Sequence, residues 1–594
     1  MLIARRAVAA AVLMLAVIAP VARGQVLNQV PGDALVVMTV NDLQQTSGRI
    51  GELAKMLGIA DMLPPAADPL AAVQLQTGIR DGINKAGDMA IAMFNPAVAG
   101  GRSDRAILLL LPVTDYAAFI KNFANAKKDG DLDVVNFPRD PSPTYVANWG
   151  RYAALSPSKE MLAKKPGGLA LPAVAARELG AKDIAFYANM PEVAKLARDA
   201  MGDMRTELTR QIDRNLGMDE ANKKYVPLAK VAANHLVDLM EGFLSSTQAA
   251  VMGMTISPKG IDCSMVCEFS PASEPGKFAA EVKNTDATLV GGLPAGNYLV
   301  YGGAVYDGPA MLKAYDQLVG PMLPELQKLG DDAKPALAAL DSIKRLLGSV
   351  KDASFGMVAP TGKLGEASLF QGAYVVHGDA NAVMKAYRDY MVNQDALMKM
   401  VPGNQQLQTT LKQAARTVDG VALDEVVMQY NLNPTNPMEA QMAQFMGMLY
   451  GPNGLSAVMG VVNDTTMVYV MGGNDALLKS TITAAKAGGD NLGARAELKS
   501  TVASLPQKRI GVYYVSLSGI INTAVRYAQE MGMGVPLQLP ADLPPIGITA
   551  ATERSAMRID AHVPAVLMQK IGEAAMKLQQ QMMGGPGGPG GPGM

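Results

Sequence analysis

Ser156-Pro157-Ser158-Lys159 spells S-x-x-K, the spacing by which penicillin-recognising serine enzymes set a lysine beside a nucleophilic serine. That chemistry also needs a Ser-Asp-Asn and a Lys-Thr-Gly to relay protons and hold the substrate carboxylate, and neither tripeptide occurs in the chain. The segment lies where a strand pattern gives way to a helix pattern, so capping accounts for its serines. Gly356-Met357-Val358-Ala359-Pro360-Thr361-Gly362-Lys363-Leu364 approaches a phosphate loop. Its glycines are one residue too far apart, however, and Leu364 stands where a magnesium-binding hydroxyl is required. A hairpin turn explains Thr361-Gly362-Lys363. No G-x-S-x-G nucleophile elbow appears, since Val515-Ser516-Leu517-Ser518-Gly519 lacks its first glycine and has Leu517 at the nucleophile position.

Metal chemistry finds little more. His235, His377 and His562 are far apart, and none has a Cys or His at ligand spacing. Cys263 and Cys267 sit in Ile261–Phe269, which reads as a strand. Residues four apart on a strand are separated by ~13 Å, whereas a disulfide needs α-carbons within ~7 Å, so the two are expected to be unbridged, small buried hydrophobes. Methionine is abundant, at 39 residues. Met438, Met442 and Met446, with Phe445 beside them, share one helical face, the pattern of a core stripe. Met398 with Met400, and Met531 with Met533, are too isolated for a copper array. Methionine faces are also adaptable binding surfaces. No catalytic, cofactor-binding or metal-binding residue is assigned from the sequence, and no cofactor is implied.

The composition bounds the partners. Lys+Arg 53 against Asp+Glu 54 gives a formal net charge of -1, without the basic excess that releases counterions from nucleic acid. Aromatics are 5% with one Trp, which is poor material for stacking bases or sugars. Hydrophobic residues at 49% supply ample core. The N-terminus has the pattern of an export signal: basic Arg5-Arg6, an apolar run Ala7–Ala19, Pro20, then Ala22-Arg23-Gly24 with small residues at the cleavage positions. Cleavage is expected before Gln25. The apolar run falls short of the ~20 residues of a membrane-spanning helix, and no later segment is long enough. The expected location is therefore periplasmic or extracellular, with no membrane span after cleavage.

Repetition organises the rest. A β-rich run followed by a helix start occurs at Ala34–Leu43, Ile184–Pro191, Tyr298–Val305 and Arg509–Leu517. Helices are expected at Gly48–Met56, Glu192–Asn215, Ala310–Leu329 and Ile520–Met531. Hairpins follow at Met89–Phe94 with Ala106–Val113, Ala249–Ser257 with Ile261–Phe269, Ser354–Ala359 with Glu366–His377, and Ile546–Ala551 with Ser555–His562. Each leads into a further helix, from Thr114-Asp115, at Pro275–Val282, at Ala380–Met391 capped by Asp379, and at Val563–Gln580. The first and third units continue into extra strands. The opening Val30-Pro31-Gly32-Asp33-Ala34-Leu35-Val36-Val37, with Val40-Asn41-Asp42-Leu43, resembles a broad group of uncharacterised bacterial exported proteins with repeated strand-helix units. That resemblance implies no activity.

The expected fold is α+β, with antiparallel or mixed sheets and helices packed on one face, in two duplicated halves. Their expected bounds are 25–290 (units 25–165 and 166–290) and 291–583 (units 291–505 and 506–583), after a signal peptide 1–24 and before a flexible Gly/Pro tail 584–594. Lys165–Gly168, Gly291–Pro294 and Leu505-Pro506 mark boundaries, and Asn433–Pro437 an internal loop. The functional expectation is an exported non-enzymatic binding or scaffold protein of the envelope, with an unknown protein or apolar small-molecule partner. Two alternatives stand beside it. One is a carrier or sensor of an apolar ligand in a groove between sheet and Met-rich helices. The other is a hydrolase whose residues meet only in space.

Overall fold

The computed structural model describes residues 25–583 except 61–63, 139, 165, 219, 221, 367, 400–406, 431, 433–434, 453, 473, 490–491, 494 and 535–536. The signal segment Met1–Gly24, Lys165, Met400 with the side chain of Met398, Asn433, Pro434 and the tail Gly584–Met594 therefore lie outside the described residues. The chain divides into two compact units. One takes the described residues of Met1–Arg198 and Phe243–Ser273, the other Asp199–Gly242 and the described residues of Glu274–Met594.

In unit 1 the strands are β1 (Val36–Val40), β2 (Met89–Met93), β3 (Ile107–Pro112), β4 (Lys127–Asp129), β5 (Leu132–Phe137), β6 (Asp140–Asn148), β7 (Tyr152–Ser156), β8 (Ile184–Asn189), β9 (Thr247–Ser257) and β10 (Gly260–Phe269). They pair antiparallel throughout, in the order β4-β5-β6-β7-β3-β2-β1-β8-β9-β10. Between β1 and β2 run α1 (Leu43–Met56) and α2 (Pro69–Thr77). Between β3 and β4 runs α3 (Tyr116–Lys121), and before β8 comes α4 (Ala173–Ala181). The expected hairpins fall within two residues of their places here.

Helices cover both faces of this sheet, not the one face expected from the sequence. Ile107-Leu108-Leu109-Leu110-Leu111 is continuously apolar, as a strand buried on both sides must be. One face presents Val37, Ala92, Leu108, Leu110 and Tyr187, which pack with Ala175 and Leu179 of α4 and with Met161 of the short helix Lys159–Leu162. The opposite face presents Leu109, Leu111, Val135, Val146 and Leu155, closed by Phe119 of α3 and by Phe123. Capping fixes the helix directions. Asp42 accepts from Gln45 N at 3.0 Å to start α1, and Asp115 accepts from Ala117 N and Ala118 N at 2.8 and 3.1 Å to start α3. No side chain of its own caps α4. Buried Glu268 of β10 does so instead, accepting from Val174 N and Ala175 N at 3.0 Å each.

In unit 2 the strands are β11 (Tyr298–Val305), β12 (Val350–Val358), β13 (Gln371–Gly378), β14 (Leu407–Val418), β15 (Val421–Tyr430), β16 (Leu455–Asn463), β17 (Thr466–Met471), β18 (Gly511–Val515), β19 (Ile546–Glu553) and β20 (Ala556–Pro564). They too pair antiparallel, in the order β14-β15-β16-β17-β13-β12-β11-β18-β19-β20. Adding ten to each strand number of unit 1 yields this order. Its helices include α5 (Lys334–Ser349), α6 (Ala380–Lys399), α7 (Pro437–Tyr450), α8 (Asp475–Ala487), α9 (Ala496–Val502) and α10 (Leu517–Glu530). Asp379 caps α6, accepting from Ala382 N at 3.0 Å. The single helix expected over Ala310–Leu329 is two, Gly308–Val319 and Leu323–Lys328, because Gly320-Pro321 interrupts it. Among the described residues, no helix is long and apolar enough to cross a membrane.

Candidate apolar-ligand groove

A cavity of about 360 Å³ lies in unit 1 between the sheet and its covering helices. Val40, Met89, Ile91, Leu109, Leu111 and Ile184 form the floor, all on the sheet face opposite the α4 core. Leu43 and Ile50 of α1 and Leu70 and Val73 of α2 form the walls, and Phe137 stands at the β5 end. Strand alternation puts the floor residues on one side. The wall of α2 follows from Asp68, which caps it by accepting from Ala71 N at 3.0 Å and also accepts from Ser47 Oγ of α1 at 3.1 Å. That shared carboxylate ties the two helices together over the sheet.

Four lining residues carry polar groups, and each is turned away by a local hydrogen bond. Thr46 Oγ1 donates to Asn41 O at 2.6 Å, and Thr77 Oγ1 to Val73 O at 2.8 Å. Ser47 Oγ is held between Asp68 and Leu70 N, and Gln74 Nε2 donates to Arg80 O at 3.5 Å. No titratable side chain lines the cavity. Its surface is hydrocarbon, and a polar ligand would lose its hydration there without replacement. Val73 is 55% exposed, so the mouth opens past α2.

The apolar face continues beyond the covered part. In register across the strands run Leu109, Ile91, Met38, Phe186, Met252 and Met265. Phe186, Met252 and Met265 are 40%, 54% and 48% exposed. The methionines of this region thus stand on the sheet, whereas the sequence placed them on the groove's helices.

The residues singled out by type and spacing do not converge here. Ser156 is buried in β7, donating to Ile107 O at 2.7 Å and accepting from Ser158 N at 3.1 Å. Lys159 pairs with Asp129 and lies 5.2 Å from the Tyr145 ring centroid, so S-x-x-K sets no lysine beside Ser156. Gly356 belongs to β12, and Thr361–Lys363 occupies the following turn, with Thr361 against Gln371. His235 meets Gln317 O at 2.9 Å, His377 Nδ1 meets Asp352 Oδ1 at 2.6 Å, and His562 is buried in β20. Among the described residues, no three His, Cys, Asp or Glu side chains gather as a metal site. Cys263 and Cys267 lie on β10, unbridged as expected, but half-buried where full burial was expected. Burial raises both thiols above the ordinary range, as in an unreactive environment.

The methionine stripe of α7 departs most from expectation. Met438 is 75% exposed, Met442 and Phe445 are also exposed, and no residue of α7 is fully buried. The helix is held at its C-terminal end, where Leu449 O accepts from Leu369 N at 2.8 Å and the Tyr450 ring lies 5.5 Å from Phe370. Apolar spacing shows that a face exists but not whether anything covers it. The groove residues themselves went unassigned in the sequence. Pro69–Thr77, a helix without one charged residue but with Leu75 exposed, is the signal that could have pointed to them.

No protein-family model and no curated protein matches the chain. Two solved structures are similar to part of it. "Structure of crystal form III of TP0453" is 8% identical, with a TM-score of 0.20, covering 49% of this chain and 98% of that one. "Structure of crystal form IV of TP0453" is 10% identical, also at 0.20, covering 51% and 99%. A TM-score of 0.20 carries no argument about fold or function.

Proposed function

We propose that this is an exported binding protein that carries or senses an apolar ligand, an unbranched hydrocarbon chain, in the groove of unit 1. The observation that supports it is the cavity of about 360 Å³ whose lining hydroxyls, Thr46, Ser47 and Thr77, are each bonded elsewhere and which no charged side chain lines. An elongated floor of Leu109, Ile91 and Val40 suits a chain better than a fused-ring body. The N-terminal pattern up to Gly24 supports export, and the mature chain is expected to begin at Gln25 by intact mass. The shared strand order of the two units supports an origin by duplication of an ancestral half.

Displacement of an uncharged naphthylamine fluorophore by a series of primary alcohols tests the ligand class. Burying one methylene contributes about 0.8 kcal/mol, so affinity is expected to rise about fourfold per added methylene until the groove is full. Ile91→Lys is expected to remove the binding at unchanged circular dichroism. A flat chain-length profile, or full binding by the lysine variant, would overturn the reading. Native mass spectrometry of protein purified from its own host would identify the resident ligand.

A further inference from the structure

Unit 2 holds a cavity of a different chemistry. It encloses about 200 Å³ where the start of β11, the start of α9 and the helix α10 meet. Two guanidinium groups line it. Arg495 is bound at Nε by Glu497 Oε1 at 2.5 Å and donates from Nη1 to Gly296 O at 3.0 Å. Arg526 donates from Nη2 to Pro360 O at 2.6 Å and stacks 4.6 Å from the Tyr527 ring, and its buried Nε has no hydrogen-bond partner. A guanidinium offers five N–H donors, so each arginine has donors left beyond these contacts.

Tyr301 supplies an independent sign. It is 7% exposed and lines the cavity, and its hydroxyl has no hydrogen-bond partner among the described residues. That oxygen is not among the buried partnerless atoms, so it opens onto the cavity, where a ligand can meet it. Burial raises its pKa, so it stays a neutral donor, facing the charge of Arg495. The N-terminus of α10 also opens here. Its cap Ser516 accepts from Gly519 N at 3.1 Å, and Ser516, Gly519 and Asn522 all line the cavity. Ser516 of the Val515–Gly519 segment is thus a helix cap on a cationic pocket. The Asn522 amide is held by Leu539, donating from Nδ2 to Leu539 O and accepting at Oδ1 from Leu539 N.

Two arginines against one glutamate leave one net positive charge, reinforced by the helix terminus. The other wall is apolar, formed by Ala541, Leu543 and Pro545. We propose that this cavity binds a small organic monocarboxylate. Its carboxylate accepts from Arg526, Arg495 and the Tyr301 hydroxyl, and its short apolar body lies against Leu543 and Pro545. One negative charge matches the net charge of the lining, and the apolar wall favours a carbon acid over inorganic phosphate. The inference is independent of the apolar-chain reading of unit 1 and stands or falls separately.

Isothermal titration of the intact chain with benzoate, butyrate, their amides and inorganic phosphate tests it. At least one of the two acids is expected to bind saturably at one site, with its amide at least tenfold weaker. Arg526→Gln is expected to weaken that binding at least tenfold. Tyr301→Phe, which removes only an oxygen, is expected to weaken it severalfold at unchanged circular dichroism, and it carries the test if the arginine variant does not fold. The proposal is overturned if neither acid binds, if the amide binds as well, if phosphate outcompetes both acids, or if the folded variants bind like the parent chain.

Discussion

The two units share one strand order but finish the same sheet face differently. Across unit 1 the row is Leu109, Ile91, Met38, Phe186, Met252 and Met265. The corresponding row of unit 2 is Tyr374, Phe355, Gly302, Tyr513, Ile548 and Ala561. In unit 2 the rings meet. Phe355 lies 5.9 Å from Tyr374 and 5.8 Å from Tyr513, and Tyr374 lies 5.7 Å from Tyr469. Each such pair adds about 0.5–1.5 kcal/mol beyond its area. Gly302 leaves the space between Phe355 and Tyr513, and a Cβ there would stand 2.1 Å from Val512 O.

Helix length completes the contrast. After β3 the chain makes only the six residues of α3, whereas after β13 it makes the twenty of α6. Val383, Met384 and Met391 of α6 pack on Val426, Met459 and Met467, with Leu346 of α5 alongside, and this face is filled. The short α3 covers the β5–β7 end of its sheet as far as Leu109 and Leu111 of β3, and the groove lies beyond it. One architecture thus yields a packed core or an open apolar cavity, depending on side-chain bulk and the length of one helix.

The largest effect should come from hollowing the filled face. Met459 is 0% exposed, and Met459→Ala is expected to cost about 2–5 kcal/mol. Hydrogen exchange should show the loss in β13, β16 and β17. A cost below about 1 kcal/mol would mean that this face is as loose as the groove. Filling the open face is the converse. Ile91→Phe places at Ile91 the ring that unit 2 carries at the matching position, Phe355. It is expected to weaken apolar-ligand binding about tenfold without lowering the melting temperature. Undiminished binding would sink the correspondence of the two rows.

Alkali should distinguish the units more gently. Burial raises the phenol pKa of Tyr374, Tyr387 and Tyr469 in unit 2. In unit 1 burial, and then Glu268, raises Tyr187 to about 12, and burial, and then Asp88, raises Tyr152 to about 12. A phenol with a raised folded pKa contributes stability that is complete below the unfolded value near 10 and is lost as pH rises through the folded value. Stability is therefore expected to fall between pH 10 and 12, most steeply where the tyrosines cluster. Urea melts followed by Trp149, the single tryptophan and a reporter of unit 1, should shift less than melts followed by hydrogen exchange of β13 and β17. Equal shifts would contradict the contrast.

Much of this fold was legible because the signals were local. Alternation and turn residues located the hairpins β2–β3, β9–β10 and β19–β20, and Asp115 and Asp379 marked helix starts that they do cap. The ribbon β14–β15 was not read, since Leu407–Val418 places Gln, Thr, Lys and Arg on both faces and carries little apolar period. β4 escaped for the same reason, being three exposed residues, Lys-Lys-Asp.

The sequence by itself determined the α+β class with antiparallel or mixed sheets, through hairpin spacing and capping residues that act within a few positions of each other. It also determined that Cys263 and Cys267 stay unbridged, because four residues of strand hold them apart. Only the tertiary structure decided which apolar faces are covered. The stripe of α7 and the core of α6 share helical periodicity, yet Met438 is exposed and Met384 is buried. Periodicity sets the direction in which a side chain points, and coverage depends on a partner element far away in the chain. The groove and the cationic cavity follow the same logic. Ile91 meets Leu43 and Val73, and Tyr301 meets Arg495 and Arg526, only once sheet and helices have packed.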